Sequence, residues 1–304
     1  MMQVIFCFAD GSERIPAEAP VYLELQRDAD TPADGLELHF AGEETVYPAV
    51  PAEVRLEMDG EAVFEGITDV MDVERKGGAV TVRYRCRSRG ALLLDNEAMP
   101  GEMQMPSVRS VARRFTEPFG LKAAGVDLLP KKGRLMVEEG TRCWEVICRF
   151  AEAFLHTTPY CTTDGTVCFD KRKPIKQALP PVKSLMVSRR PIERISRVVV
   201  QNARTGAYSA VYEDREAEGI QRVRYLSAQA ADAPKTVFAE GKRKALQAEA
   251  AVFGFCDALP GDIFDLSGYD GELVEAELTG LRYIFTAEGE ETQLKLTAKK
   301  KEEM

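Results

Sequence analysis

Hydrophobic and polar residues alternate with a period of two along most of the first hundred positions, and this pattern predicts strands. The runs are Val4 to Phe8, Val21 to Leu25, Leu36 to Phe40, Val54 to Met58, Val63 to Val73 and Val80 to Cys86. In the last run Val80, Val82 and Tyr84 share one face while Thr81, Arg83 and Arg85 share the other, as a half-buried sheet requires. Asp10-Gly11, Asp34-Gly35, Asp59-Gly60 and Gly77-Gly78 separate these runs with turn chemistry. Short strands so punctuated predict a small barrel or sandwich.

The period changes near Arg87, and the stretch to Leu121 reads as helix, loop and helix. Within Ser107 to Phe119 the apolar positions Val108, Val111, Ala112 and Phe115 fall at helical spacing. Ser107, after Pro106, supplies an N-cap, and Pro118 with Gly120 ends the run. A second helix is predicted over Thr141 to Leu155, with Trp144, Ile147, Cys148, Ala151, Phe154 and Leu155 on a broad apolar face. A hairpin follows, Pro159 to Thr162 and Thr166 to Asp170, turned by Asp164-Gly165.

The run KRKPIKQALPPVK, Lys171 to Lys183, is basic and proline-rich; it reads as a linker, its three prolines opposing any regular element. Alternation then returns at Ile195 to Gln201, Tyr208 to Tyr212, Arg222 to Leu226, Ile263 to Leu266, Leu273 to Phe285 and Thr292 to Thr297. One helix, Val237 to Ala250, is predicted among them, and the terminal AKKKEEM reads as a solvated tail.

These elements predict a mainly β chain with an α+β insertion: a β-barrel domain over 1–96, a middle α+β domain over 97–183 and a second β-barrel domain, with one helix, over 184–304. The two β segments share a pattern. Asp59-Gly60-Glu61 precedes Ile67-Thr68-Asp69-Val70, and Asp270-Gly271-Glu272 precedes Leu278-Thr279-Gly280-Leu281 at the same spacing. Aspartate-glycine turns recur by chance in β proteins, so the match is read either as coincidence or as internal duplication of one barrel.

Composition narrows the class. The 304 residues are 45% hydrophobic and 29% charged, as in an ordinary globular protein large enough for more than one domain. No apolar run reaches the roughly 20 residues of a membrane helix, and MMQVIFCFADGSER lacks the basic n-region and cleavage site of a signal peptide. Seven scattered cysteines are expected to be small buried hydrophobes. A net charge of −9 opposes a nucleic-acid binder held by phosphate contacts, although a local basic patch fits within an acidic total.

Candidate chemistry is sparse. His156, four residues after Glu152, and the nearby Cys161 are the base and nucleophile of a cysteine-hydrolase reading; His39, the other histidine, sits in an alternating strand. The plainer account makes His156 a helix terminus and Cys161 a packed hairpin residue. Cys143, Cys148, Cys161 and Cys168 are spaced too widely for a structural zinc site. Acidic pairs such as Glu43 with Glu44, or Asp262 with Asp265, carry no signal that aims them into a glycosidase cleft. Trp144 reads as a core anchor. No catalytic, cofactor-binding or metal residue is therefore assigned, no cofactor is expected, and the sequence names no partner-binding residue.

Three passages carry a family resemblance. CRSRGALLLDNEA (Cys86–Ala98), SVRSVARRFTEPFGL (Ser107–Leu121) and CWEVICRFAEAFLHTTPYCTTDGTVCFD (Cys143–Asp170) resemble the baseplate hub proteins of contractile phage tails, related to the phage late control D proteins. The resemblance implies a non-enzymatic virion structural protein for tail assembly, from a phage, a prophage or a tail-like particle. It implies a homotrimer in which two related barrels per chain adapt a threefold spike to a sixfold tail tube. Spike, tube and baseplate wedge proteins would be its partners, and the acidic total of the chain adds the expectations of no specific nucleic-acid binding and a neutral or negative lumen. It would be made in the bacterial cytoplasm and located at the baseplate. A cell-wall hydrolase and a β-rich host- or carbohydrate-binding module are the competing classes.

Overall fold

The structure, a computed structural model, describes residues 1–125, 129–217, 219–228, 233–269, 271 and 273–299. The chain forms two compact units, Met1–Lys173 with Arg282–Glu290, and Pro174–Leu281 with Glu291–Met304. The division falls inside the basic proline-rich run.

The first unit begins with β1 (Met2–Cys7), β2 (Glu13–Arg14), β3 (Tyr22–Asp28), β4 (Gly35–Ala41), β5 (Glu53–Met58), β6 (Glu61–Lys76) and β7 (Ala79–Ser88). The predicted alternation is present: Val82, Tyr84 and Cys86 of β7 are buried, while Arg83 and Arg85 face out and pair with Glu74 (3.4 Å) and Asp72 (3.2 Å) across the hairpin. Asp59-Gly60 and Gly77-Gly78 have positive φ at both residues, the condition for two-residue hairpin turns. Phe6, Phe40 and Tyr84 pack ring against ring at 4.6 to 6.1 Å between centroids, and the Tyr84 hydroxyl donates to the Thr45 carbonyl at 2.7 Å.

The rest of this unit is α+β: α1 (Ala91–Asp95), β8 (Gly101–Gln104), α2 (Val108–Phe115), β9 (Ala123–Ala124), β10 (Arg134–Val137), α3 (Cys143–Phe150), β11 (Tyr160–Cys161) and β12 (Val167–Cys168). Val108, Val111 and Phe115 of α2 meet Val146, Ile147 and Phe150 of α3 in one buried cluster, with Trp144 partly buried against it. Ser107 caps α2 as its position predicts, in a reciprocal box with Ser110 (3.1 and 2.9 Å). The second predicted helix is α-helical only to Phe150. A π-helical turn over Ala151–Leu155 carries it to His156, whose left-handed backbone ends it, and Phe150 and Phe154 stack at 5.4 Å.

Gly90 joins the barrel to this α+β part. A Cβ there would lie 2.1 Å from the Pro32 carbonyl oxygen and 3.4 Å from Cys161 Sγ, so only glycine fits. Arg87 ties the same junction, bonding Asp69 (2.6 and 3.0 Å) and Asp95 (2.8 and 3.0 Å).

The second unit holds β13 (Lys176–Ala178), β14 (Val182–Arg189), β15 (Arg197–Gln201), β16 (Tyr208–Glu213), β17 (Val223–Leu226), α4 (Pro234–Lys244), β18 (Leu246–Phe253), β19 (Ile263–Asp265) and the greater parts of β20 (Glu275–Thr286) and β21 (Gly289–Ala298). Two expectations are corrected here. The supposed linker contains β13 and the start of β14, because Pro180 and Pro181 fall between strands instead of within them. The helix predicted to Ala250 stops at Lys244, and Leu246–Phe253 is a strand paired on both sides, to β14 and β21; Ala248, Ala250 and Val252 alternate inward.

The two barrels have one topology. Counting only their six main strands in chain order, the first runs β1, β3, β4, β5, β6, β7 and is paired as β1-β5-β6-β7-β4-β3. The second runs β13, β14, β18, β19, β20, β21 and is paired as β13-β19-β20-β21-β18-β14. Both orders are 1-4-5-6-3-2. The pairing of first with fourth strand differs, antiparallel in the first barrel and parallel in the second. Shared order supports duplication over coincidence for the repeated Asp-Gly-Glu pattern. Asp59 and Gly60 turn between the fourth and fifth strands; Asp270 and Glu272 of the second copy lie outside the described residues, as do Lys300–Met304 of the tail.

Candidate interaction surfaces

The residues of the hydrolase reading do not form a site. His156 is exposed at the end of its π-helical turn, Cys161 packs beneath Gly90, and no hydrogen bond joins them. Burial pushes the Cys161 thiol up to about 12, the opposite of what a nucleophile needs. Burial likewise raises Cys86 to about 12 and Cys148 to about 11. His39 accepts or donates at 2.6 Å with Glu37 and stacks on Tyr22. Among the described residues no three His, Cys, Asp or Glu side chains converge as metal ligands.

The acidic pairs separate as well. Asp262 is buried and accepts the backbone amides of Ile175 (3.0 Å) and Leu259 (2.9 Å), whereas Asp265 turns to the Ser267 amide at 2.8 Å. The Glu44 side chain lies outside the described residues.

Two outward surfaces stand out instead. On α2, Ser107, Arg109, Ser110, Arg113 and Arg114 line an open concavity of about 400 Å³. Arg114 is anchored by the Met99 (2.9 Å) and Pro100 (3.2 Å) carbonyls, while Arg109 and Arg113 are exposed and form no ion pair among the described residues. The apolar spacing of this helix was legible in sequence; the i, i+4 arginines on its other face were the overlooked signal. Charge by segment was a second. Residues 1–96 hold nineteen acidic and nine basic side chains, a net −10, whereas residues 97–173 hold ten and twelve.

The other surface is a three-stranded sheet, β16-β15-β17, inserted between β14 and β18. Register puts Tyr208, Val211, Val223 and Tyr225 on one face over Val199, and Tyr208 meets Tyr225 edge to face at 5.5 Å. All four are exposed, Tyr225 by 65%, and β16 is an edge strand with every residue exposed.

No protein-family model matches the sequence, and no curated protein matches it. Solved structures do match. A tail protein from Neisseria meningitidis MC58 aligns over 97% of this chain and 96% of its own, at 17% identity and a TM-score of 0.73. The 43 kDa tail protein of prophage MuSo2 from Shewanella oneidensis aligns over 97% and 98%, at 15% identity and a TM-score of 0.77.

The fold is that of phage tail proteins.

The likeness reaches the type VI secretion system. The E. coli c3393 protein, a component of that system with structural similarity to the T4 bacteriophage tail proteins gp27 and gp5, aligns over 92% of this chain and 74% of its own (10% identity, TM-score 0.54). At these identities the tail-protein fold is what is shared. No helix among the described residues is long and apolar enough to cross a membrane.

Proposed function

We propose that the chain is a structural, non-enzymatic hub at the baseplate of a contractile phage tail or tail-like particle, of the late control D type. The observation that carries this reading is the pair of barrels with one strand order in a single chain. Three copies would supply six similar barrels, so a homotrimeric ring would offer near-sixfold symmetry to a tail tube and threefold symmetry to a spike. Such a ring closes through heterologous contacts, each copy meeting the next through two different faces.

In this reading 1–96 and the chain from Pro174 onward furnish the barrels, the second starting about ten residues earlier than its alternation announced, and 97–173 is the intervening domain. Spike, tube and wedge proteins are the partners, and the particle baseplate is the location. The lumen is neutral or negative, so that phosphates pass without adhering. Full-length similarity to tail proteins supports the reading.

Mass measurement by light scattering, with particle imaging, tests it. A toroidal trimer, alone or with spike or tube present, is expected. Normal tails after deletion of the gene would refute it.

A further inference from the structure

The arginine face of α2 has no role in a barrel-built ring, and its geometry is that of a receptor. We propose that it docks a short carboxylate-rich segment of another protein. Arg109 and Arg113 stand one helical turn apart, about 5–6 Å between Cβ atoms, a spacing suited to two successive acidic side chains in one segment. Among the described residues neither makes an ion pair, although Glu117 lies four residues beyond Arg113. Most arginines of the same unit are engaged: Arg27, Arg55, Arg83, Arg85, Arg87 and Arg89 all meet carboxylates.

The face is also held still. The Ser107–Ser110 box fixes the helix start, the Val111 and Phe115 side chains are fully buried, and Arg114 is pinned to two carbonyls with its guanidinium over the Phe115 ring at 5.5 Å. Ordering two surface arginines on a rigid element loses less entropy than ordering them on a loop. The lining contains no carboxylate.

Charge selects the occupant. Three guanidiniums and no carboxylate line a concavity of about 400 Å³, a scale suited to a short acidic segment, while the −9 total of the chain opposes a long polyanion such as nucleic acid. This inference does not depend on the ring, since it concerns a surface of the α+β part alone.

The test is fluorescence anisotropy with a labelled octaglutamate peptide at about 50 mM NaCl, where surface charges are weakly screened. The full-length chain should bind the peptide despite its net negative charge. Arg109→Gln with Arg113→Gln should weaken binding at least about tenfold, through loss of two charge-assisted contacts. Arg204→Gln with Arg224→Gln, on exposed arginines of the second unit, should leave it unchanged. No binding, or equal loss in both double variants, overturns the proposal. So does preference for an oligonucleotide of equal charge. A change in oligomeric mass on substituting Arg109 and Arg113 also overturns it, because the occupant would then be a second copy.

Discussion

Replacing Arg27 by methionine should be among the most damaging single changes in the first barrel. Arg27 follows Leu23 and Leu25 on the inward face of β3 and is only 2% exposed. Its Nη2 donates to the Val63 carbonyl at 2.5 Å and its Nε to Asp34 at 3.3 Å. Asp34 is itself locked, its amide donating to Ser88 Oγ (2.9 Å) and its carbonyl accepting from the Ser88 amide (2.8 Å). Methionine fills much of the volume and supplies no donor, leaving the Val63 carbonyl and a half-buried carboxylate without the guanidinium.

Removing one partner of a fully buried pair costs about 3–5 kcal/mol, and because Asp34 keeps some contact with solvent, urea unfolding at neutral pH should show a loss at the low end, about 3 kcal/mol. Arg27→Met with Asp34→Leu should recover most of it, since replacing both partners by apolar groups is often close to neutral.

The sign of the pH dependence sharpens the test. Burial pushes Asp34 above the ordinary carboxylate range, and Arg27 opposes this. Without Arg27 the folded-state value rises further. The folded state then holds a proton that the unfolded chain has released, so stability is retained below the unfolded value near 3.9 and falls as pH rises through the folded one. The Arg27→Met defect should therefore be smallest near pH 4 and largest near pH 7. A loss below about 1 kcal/mol, or a defect that grows toward acid, would refute the reasoning.

Three further outcomes are expected. Arg87 holds the Asp95 carboxyl below its ordinary range through a two-point bond. That contribution is present above about pH 3.9 and lost as pH falls through the depressed folded value, so Arg87→Met should flatten the acid limb of stability against pH; parallel curves would count against it. Gly90→Ala should open the seat between Pro32 and Cys161, seen as faster amide exchange in Ala91–Asp95 and a loss of about 1–3 kcal/mol, whereas unchanged exchange would contradict the fit. Iodoacetamide at about pH 8 should modify Cys86 only on unfolding, because its thiol is buried and stays protonated; rapid native labelling would contradict this.

Where the chain's chemistry is local, the sequence was readable. Alternation located the six main strands of the first barrel and the last three of the second, and Ser107 before an apolar helical face located the start of α2. Misreadings arose where distant contacts override local preference. Leu246–Phe253, LQAEAAVF, is alanine-rich and favours helix by propensity, but two flanking strands supply hydrogen bonds along its length and its small side chains suit a crowded interior. Lys176–Ala178 is a strand only because Ile263–Asp265, far along the chain, lies beside it. Alternation ended that strand at Leu25, short of Arg27, since nothing near Arg27 in sequence announces that Val63 will meet it. The arginines of α2 and tyrosines of β16 and β17 were visible as residue types, but their clustering depends on helix facing and strand register.

The common strand order bears on where each barrel can be enlarged. Between second and third strands the second barrel accommodates 56 residues, 190–245, and keeps the common strand order, while the first barrel has only six, 29–34, at the equivalent corner. That short corner is already committed: Pro32 seats Gly90, and Asp34 binds Arg27 and Ser88. A foreign segment grafted there would unseat the α+β part, whereas one exchanged for 190–245 would meet a corner already shown to tolerate elaboration. Evolution of new surface recognition in this chain is thereby channelled into one of its two barrels, leaving the other to hold the architecture constant.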